Sequence, residues 1–357
     1  MRVCNIKEAN MHAVIAGASG AVGSAVARDL AVTGTASVTG IARRSPSRPI
    51  AGVRYLQVDL GDARECERHL VELSSVTHLF YCARASHTEQ PLEDVATNVT
   101  MLSNVLDVVE PKGLQHVHLV QGGKVYGVHL GAFPTPARED APRTPIPSFN
   151  YAQEDLLRAR GPTRGWTWSA SRPNTLVHFS PAKGRNLVSS LGAYAVLCRE
   201  LGSAFDFPGP EAAYQSLTQV TAVELLARGM HWMSTDAACA NHAFNVTNGD
   251  VFRWSNVWPQ LARAFGVPCG TVRPMRLAQT LTHAEEIWEQ VVRQNQLQTL
   301  PLDNVANWAY LDATLERTWD EILCTNKARK FGFHDWADSE KLLLDTLGTY
   351  RQANILP

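Results

Sequence analysis

The sequence predicts an α/β fold, a doubly wound parallel sheet of Rossmann type with a smaller, mostly helical substrate region. Three observations predict it. An apolar run, His12-Ala13-Val14-Ile15-Ala16, ends in Gly17-Ala18-Ser19-Gly20-Ala21-Val22-Gly23 and passes into the helical pattern Ser24–Leu30. From residue 12 to about 180, strand-like and helix-like runs alternate, as βα units on a parallel sheet do. After Ser180-Pro181 the chain changes to long, weakly charged helical stretches.

The first strand, glycine turn and helix follow in the order that the dinucleotide fingerprint requires. Gly17 permits the tight turn, Gly20 lets the backbone approach a pyrophosphate, and Gly23 lets the helix pack on the strand. The helix N-terminus adds unpaired N–H groups and a partial positive charge. The second strand, Ala36–Ala42, ends in Arg43-Arg44 where an acidic residue would select an unphosphorylated ribose. Paired guanidinium forks suit a 2′-phosphate, which favours NADPH; the competing reading is a solvated basic turn continued by Arg48. The third strand, Val53–Leu60, ends in Asp59-Leu60, placed either at the adenine edge or, for Asp59, as a helix N-cap.

Thr77–Ala83 reads as the fourth strand, Asp94–Glu110 as a long helix and His116–Gln121 as the fifth strand. A proline-rich loop over 131–147 delivers Tyr151 to a helix spanning Tyr151–Arg160, and Trp166–Arg172 is the sixth strand. Asn186–Leu201 and Gln219–Trp232 read as helices separated by an extended piece, Phe205–Pro210. Residues 241–247 return a strand to the main sheet, and helices from about 274 onward complete a lid. The expected organisation is an NADP-binding domain over 11–180, completed near 241–265. Substrate-binding and lid segments occupy 181–240 and 266–357.

Composition narrows the class. The chain has 357 residues, 45% hydrophobic, with a net charge of −1, which argues against a nucleic-acid partner. Seven cysteines lie scattered without a Cys-x-x-Cys, and no secretory signal precedes the first strand, so a reducing cytoplasm is expected. No apolar run approaches the roughly 20 residues that cross a bilayer, so no membrane partner is expected. No His, Cys and carboxylate spacing suggests a metal.

The usual Tyr-x-x-x-Lys pair is missing. Lys124, in Gln121-Gly122-Gly123-Lys124-Val125-Tyr126-Gly127, precedes Tyr151, in Ser148-Phe149-Asn150-Tyr151-Ala152-Gln153-Glu154-Asp155. A nucleotide fold that keeps both residue types in reversed order suggests altered carbonyl chemistry.

The chain resembles the progesterone 5β-reductase/iridoid synthase family, atypical extended short-chain dehydrogenases that reduce activated C=C bonds with NADPH. The resemblance runs through the glycine loop, Ala42-Arg43-Arg44, Lys124 in a G-x-K-x-Y setting, and Phe149–Asp155, similar to the family's N-F-Y-Y-x-x-E-D. It continues in Arg172-Pro173, Phe179-Ser180-Pro181, Phe207-Pro208-Gly209, Ala243–Trp254 and the closing Ile355-Leu356-Pro357. It implies that Tyr151 hydrogen-bonds the substrate carbonyl and stabilises an enolate while Lys124 sits by the nicotinamide ribose. Hydride would add to the β-carbon of a small enone or enal, and solvent would protonate the α-carbon. It further implies that Gly17, Ser19, Gly20, Val22, Gly23, Arg43, Arg44, Asp59, Leu60, Cys82, Ala83, Gln121, Pro173 and Leu176 hold NADP(H). The substrate pocket would be lined by Arg84, Leu130, Thr175 and Trp336, and the protein would be a monomer or homodimer.

Departures concern that pocket. Tyr81-Cys82-Ala83-Arg84-Ala85 stands where plant members have Y-V-T-W-A, so Arg84 either faces an anionic substrate or reaches solvent. His129 and His178 read either as proton-transfer groups or as satisfied structural histidines. Two other functions share the fold. One is a carbonyl dehydrogenase or sugar-nucleotide epimerase, which needs the missing Tyr-x-x-x-Lys; the other is a non-enzymatic NADP sensor, which would leave Lys124 and Tyr151 unexplained.

Overall fold

The computed structural model describes residues 11–34, 36–46, 48–85 and 94–357. Seven parallel strands make one sheet in the order β11-β6-β5-β4-β1-β2-β3: β1 Met11–Ala16, β2 Ala36–Ala42, β3 Val53–Gln57, β4 His78–Tyr81, β5 His116–Val120, β6 Thr167–Pro173 and β11 His242–Val246. The order reverses between β1 and β4, and ligands of open α/β sheets bind in the crevice at that point. The strand expected over 241–247 returns to the main sheet, and the structure seats it beside β6.

Alternate residues of β1 explain why both faces are covered. Val14 and Ala16 enter one core with α2 (Ala63–Leu70), α3 (Val95–Val109) and α4 (Phe149–Arg164); Ala13 and Ile15 enter the other with α1 (Ala21–Thr33) and α7 (Val223–Thr235). Thus α7, placed in the substrate segment from sequence, packs on α1 and the sheet. The helix carrying Tyr151 is longer than its pattern suggested. Ser148 caps its first turn by accepting from the Asn150 amide, and Gly165 ends it in the left-handed conformation at φ 80°.

Buried histidines occupy the α7 face of the sheet. His116 and His118 share Ser169 Oγ at 2.7 and 2.8 Å, while His78 lies 3.2 Å from the Ser234 carbonyl of α7. Burial pushes His78 down to about 4 and His118 to about 3, and holds His116 well below its ordinary value. All three are therefore neutral and act as hydrogen-bonding core residues.

Three short strand pairs lie beside the main sheet: β7 (Thr175–Val177) with β10 (Val220–Ala222), β8 (Phe205–Phe207) with β13 (Cys269–Val272), and β9 (Leu217–Thr218) with β12 (Phe252–Arg253). A separate helical core gathers α5 (Leu187–Glu200), α8 (Trp254–Phe265), α10 (Ala284–Asn295), α11 (Trp308–Leu315) and α13 (Ser339–Gln352). At its centre Trp258 stacks on Phe205 with ring centroids 4.3 Å apart and donates its indole N–H to the Phe205 carbonyl at 2.8 Å. That bond satisfies the one polar atom of a fully buried indole.

Candidate active site

The glycine loop is built by close approach. Gly17 has φ +82° and a side chain there would meet the Cys82 and Ala83 backbone at 2.9 Å; one at Gly23 would lie 2.3 Å from the Gly17 carbonyl. The Gly17 and Ala18 amides donate to the Ile41 carbonyl, which ties the loop to the end of β2. Gly20 caps α1 without a side-chain acceptor, and the first turn contains no acidic residue. The positive end of α1 is thus left to a ligand.

An open groove of about 590 Å³ begins at this loop and is lined by Gly17, Ser19, Gly20, Ile41, Ala42, Arg43, Arg44, Val58, Leu60, Cys82, Ala83, Arg84 and Met101. Apolar walls, a glycine cradle and two arginines after β2 fit a dinucleotide carrying a 2′-phosphate. Asp59 stands beside this wall with its carboxylate accepting from the Gly61 amide at 2.9 Å. The N-cap of α2 is Asp62, which accepts from the Arg64 and Glu65 amides, so the capping alternative for Asp59 is corrected.

Lys124 is half-buried in a 3₁₀ turn, Gly123–Tyr126, directly after β5. Tyr151 lies in the first turn of α4 and is 9% exposed. Its hydroxyl donates to the Val125 carbonyl at 2.6 Å and accepts from the Thr144 amide at 3.0 Å. Arg143 sits over the ring, 4.9 Å from its centroid. The two expected residues therefore lie on neighbouring elements, but the phenol's single proton is committed to the turn that carries Lys124. Of the two tyrosine positions in N-F-Y-Y-x-x-E-D, the chain keeps the second as Tyr151 and has Asn150 at the first.

A buried polar network underlies this site, and only its motif residues were visible in sequence. Arg172 donates to Gln121 Oε1 at 2.8 Å, to the Tyr126 hydroxyl at 3.1 Å and to Glu154 Oε2 at 3.0 Å. Gln121 Nε2 donates to the Asn150 carbonyl and to Glu154, and Tyr126 donates to Asn245 Oδ1 at 2.6 Å. Burial alone would raise the Glu154 carboxyl, but Arg172, with hydrogen bonds from Arg158 and Gln121, holds it below the usual range. The side chain of Gln121, a residue expected at the cofactor, joins β5, β6 and α4.

Residues 50–303 match the family model described as a PRISE-like Rossmann-fold domain. The chain belongs to that family. It is 33% identical to a (S)-8-oxocitronellyl enol synthase of Nepeta cataria, over 97% of this chain and 91% of that protein. It is likewise 33% identical to a 3-oxo-Delta(4,5)-steroid 5-beta-reductase of Arabidopsis thaliana, over 97% and 93%. Among solved structures, the UDP-glucose 4-epimerase of Thermus thermophilus in complex with NAD superposes with TM-score 0.67 at 19% identity, over 96% of this chain and 100% of that one. This second likeness concerns the fold.

The PRISE-like chain distributes the expected pocket residues unevenly. Arg84 lines the nucleotide groove and lies 5.2 Å from the centroid of Phe149, at the start of α4, so it bridges the groove and the Tyr151 helix. Thr175 and Leu176 are half-buried in β7, and Pro173 closes β6. Val22 is half-buried on the first turn of α1. Leu130 is 48% exposed and Trp336 is 72% exposed. Trp336, expected in the pocket, stands at the surface with its Cβ near Gly249. His178 is held through Asn186, and burial first, with the Lys183 charge second, pushes it down to about 4. It is a neutral structural group; His129 is exposed.

Proposed function

We propose that the protein reduces the activated C=C bond of a small enone or enal with NADPH. The observation that carries this reading is 33% identity, over 97% of the chain, to an enol synthase and a steroid 5β-reductase, in a chain whose groove retains the glycine cradle and Arg43-Arg44. NADPH, when bound, supplies the hydride for the β-carbon. The residues of the chain then have two tasks: to fix the cofactor and to stabilise negative charge on the carbonyl oxygen. Gly17, Gly20 and the α1 N-terminus hold the phosphates, and Arg43 and Arg44 hold the 2′-phosphate.

Lys124 is the proposed source of positive charge for the enolate, acting at a half-buried position where charge is weakly screened. Tyr151 is proposed as its positioning residue. Swinging the phenol toward a substrate would leave the Val125 carbonyl and Thr144 amide without their partner, at a cost of about 1–3 kcal/mol for each buried group. The proton for the α-carbon comes from solvent. The epimerase reading rests on fold alone and lacks the Tyr-x-x-x-Lys pair that it requires.

The test is NADPH consumption with neutral cyclic, linear, steroid and carboxylate-bearing enones and enals, followed by product identification. A saturated carbonyl product is expected. An allylic alcohol, or turnover only with simple ketones, would overturn the reading. Preference for the carboxylate-bearing compounds would assign Arg84 a part in substrate recognition, since its guanidinium already spans the groove and α4.

A further inference from the structure

The segment after β7 reaches back across the fold to the glycine loop. Lys183 Nζ donates to the Ser19 carbonyl at 2.5 Å, linking positions 164 residues apart in sequence. Ser19 belongs to the glycine loop and lines the nucleotide groove. The other N–H groups of this ammonium have no hydrogen-bond partner among the described residues. Burial lowers the Lys183 pKa, and its charge is felt by His178.

The turn that presents Lys183 is held on both sides. Ala182 has φ 56°, in the left-handed region that residues with a Cβ rarely adopt. A side chain at Gly184 would lie 2.0 Å from the Asp303 carbonyl, so the turn is pressed against the segment before α11. The Gly184 carbonyl accepts from the Asn186 amide at 2.7 Å, and Asn186 caps α5 through the Val188 and Ser189 amides. A lysine on a loose surface loop would sample many rotamers; this one is carried by an anchored turn.

Among the described residues, the other cations of the groove come from the ends of β2 and β4. Arg43 and Arg44 follow β2, and Arg84 follows β4 beside Phe149. Among the described residues, the pyrophosphate end of the cradle draws backbone amides and the α1 terminus from the Rossmann half. We propose that Lys183 is a cofactor-binding residue that places its ammonium on the pyrophosphate of NADPH, fastening the substrate half of the protein to the glycine loop. This inference rests on the dinucleotide reading of the groove. The Ser19 carbonyl holds the ammonium of this exposed lysine next to the anion site, so part of the side-chain ordering that binding needs is already made.

The experiment measures Kd by fluorescence titration for NADPH and for 2′-AMP, which has the 2′-phosphate and adenosine but no pyrophosphate. For Lys183→Met the Kd for NADPH is expected to rise about tenfold while that for 2′-AMP stays within about twofold, and Lys183→Arg recovers most of the loss. Unchanged NADPH binding, or equal losses for both ligands, would overturn the assignment. Amine labelling of the unmutated protein gives a second readout that requires no variant to fold. NADPH should protect Lys183 from acetylation and 2′-AMP should not; equal labelling with both ligands overturns the proposal. If the unmutated protein binds neither ligand, the dinucleotide reading falls and takes this inference with it. Failure confined to the Lys183 comparisons removes only the latter.

Discussion

Replacing Tyr151 by Phe removes one oxygen and separates the two roles open to this residue. In the structure that oxygen donates to the Val125 carbonyl at 2.6 Å and accepts from the Thr144 amide at 3.0 Å, within an apolar cluster that includes Val125, Tyr126 and Leu323. The variant leaves both backbone groups without this partner, and partial rehydration beside the 131–147 loop offsets some of the loss. A destabilisation of about 2 kcal/mol follows. For a chain of this length, with an unfolding entropy of roughly 2 cal/mol/K per residue, the melting temperature falls by about 3 °C. Because the hydroxyl here acts through the turn carrying Lys124, kcat is expected to drop less than about tenfold, whereas Lys124→Met lowers it by about 10²–10³. The assay pairs calorimetric melting with steady-state NADPH oxidation on the best substrate of the panel. A Tyr151→Phe variant with an unchanged melting temperature and a kcat loss of a hundredfold or more would refute the positioning role and return Tyr151 to the substrate oxygen.

Arg43→Ala combined with Arg44→Ala should weaken NADPH by about 10- to 100-fold and leave NADH within about threefold, read by titration of each cofactor; equal losses would remove the 2′-phosphate assignment. Stability should fall as pH drops from about 6.5 toward 4, because the unfolded state protonates histidines that stay neutral when buried in the fold. Their folded pKa values are depressed, with His78 near 4 and His118 near 3, so this stabilisation is present above the unfolded value and lost below it. Each contributes up to about 1.4 kcal/mol per pH unit, and urea midpoints that stay flat between pH 6.5 and 5 would contradict this. Arg172→Met should cost about 3 kcal/mol in urea unfolding because Glu154 loses its buried partner; a loss below about 1 kcal/mol would show that Arg158 compensates alone.

The sequence by itself determined what local chemistry controls. The strand, glycine turn and helix around Gly17–Gly23 were legible because steric and dipolar requirements act within a dozen neighbouring residues. Arg43-Arg44 was legible because it follows directly from β2. The motif series from Phe149 to Pro357 determined the family, since order and spacing survive in one dimension. Only the tertiary structure decided where side chains point. Tyr151 and Asn150 are adjacent, so no periodicity could reveal that the phenol turns to Thr144 in the preceding loop and to Val125, 26 residues back. Gln121 looked like a cofactor ligand by position, yet the buried Arg172 and Glu154 claim its amide. Nor could spacing show that Trp336 stands exposed at the surface. Lys183 carried no signal beyond a charge in a loop, and its contact with Ser19 exists because packing after β7 brings that turn to the glycine cradle. Backbone conformation obeys near neighbours, whereas the partner of a buried donor is chosen by whichever distant segment the core brings within 3 Å.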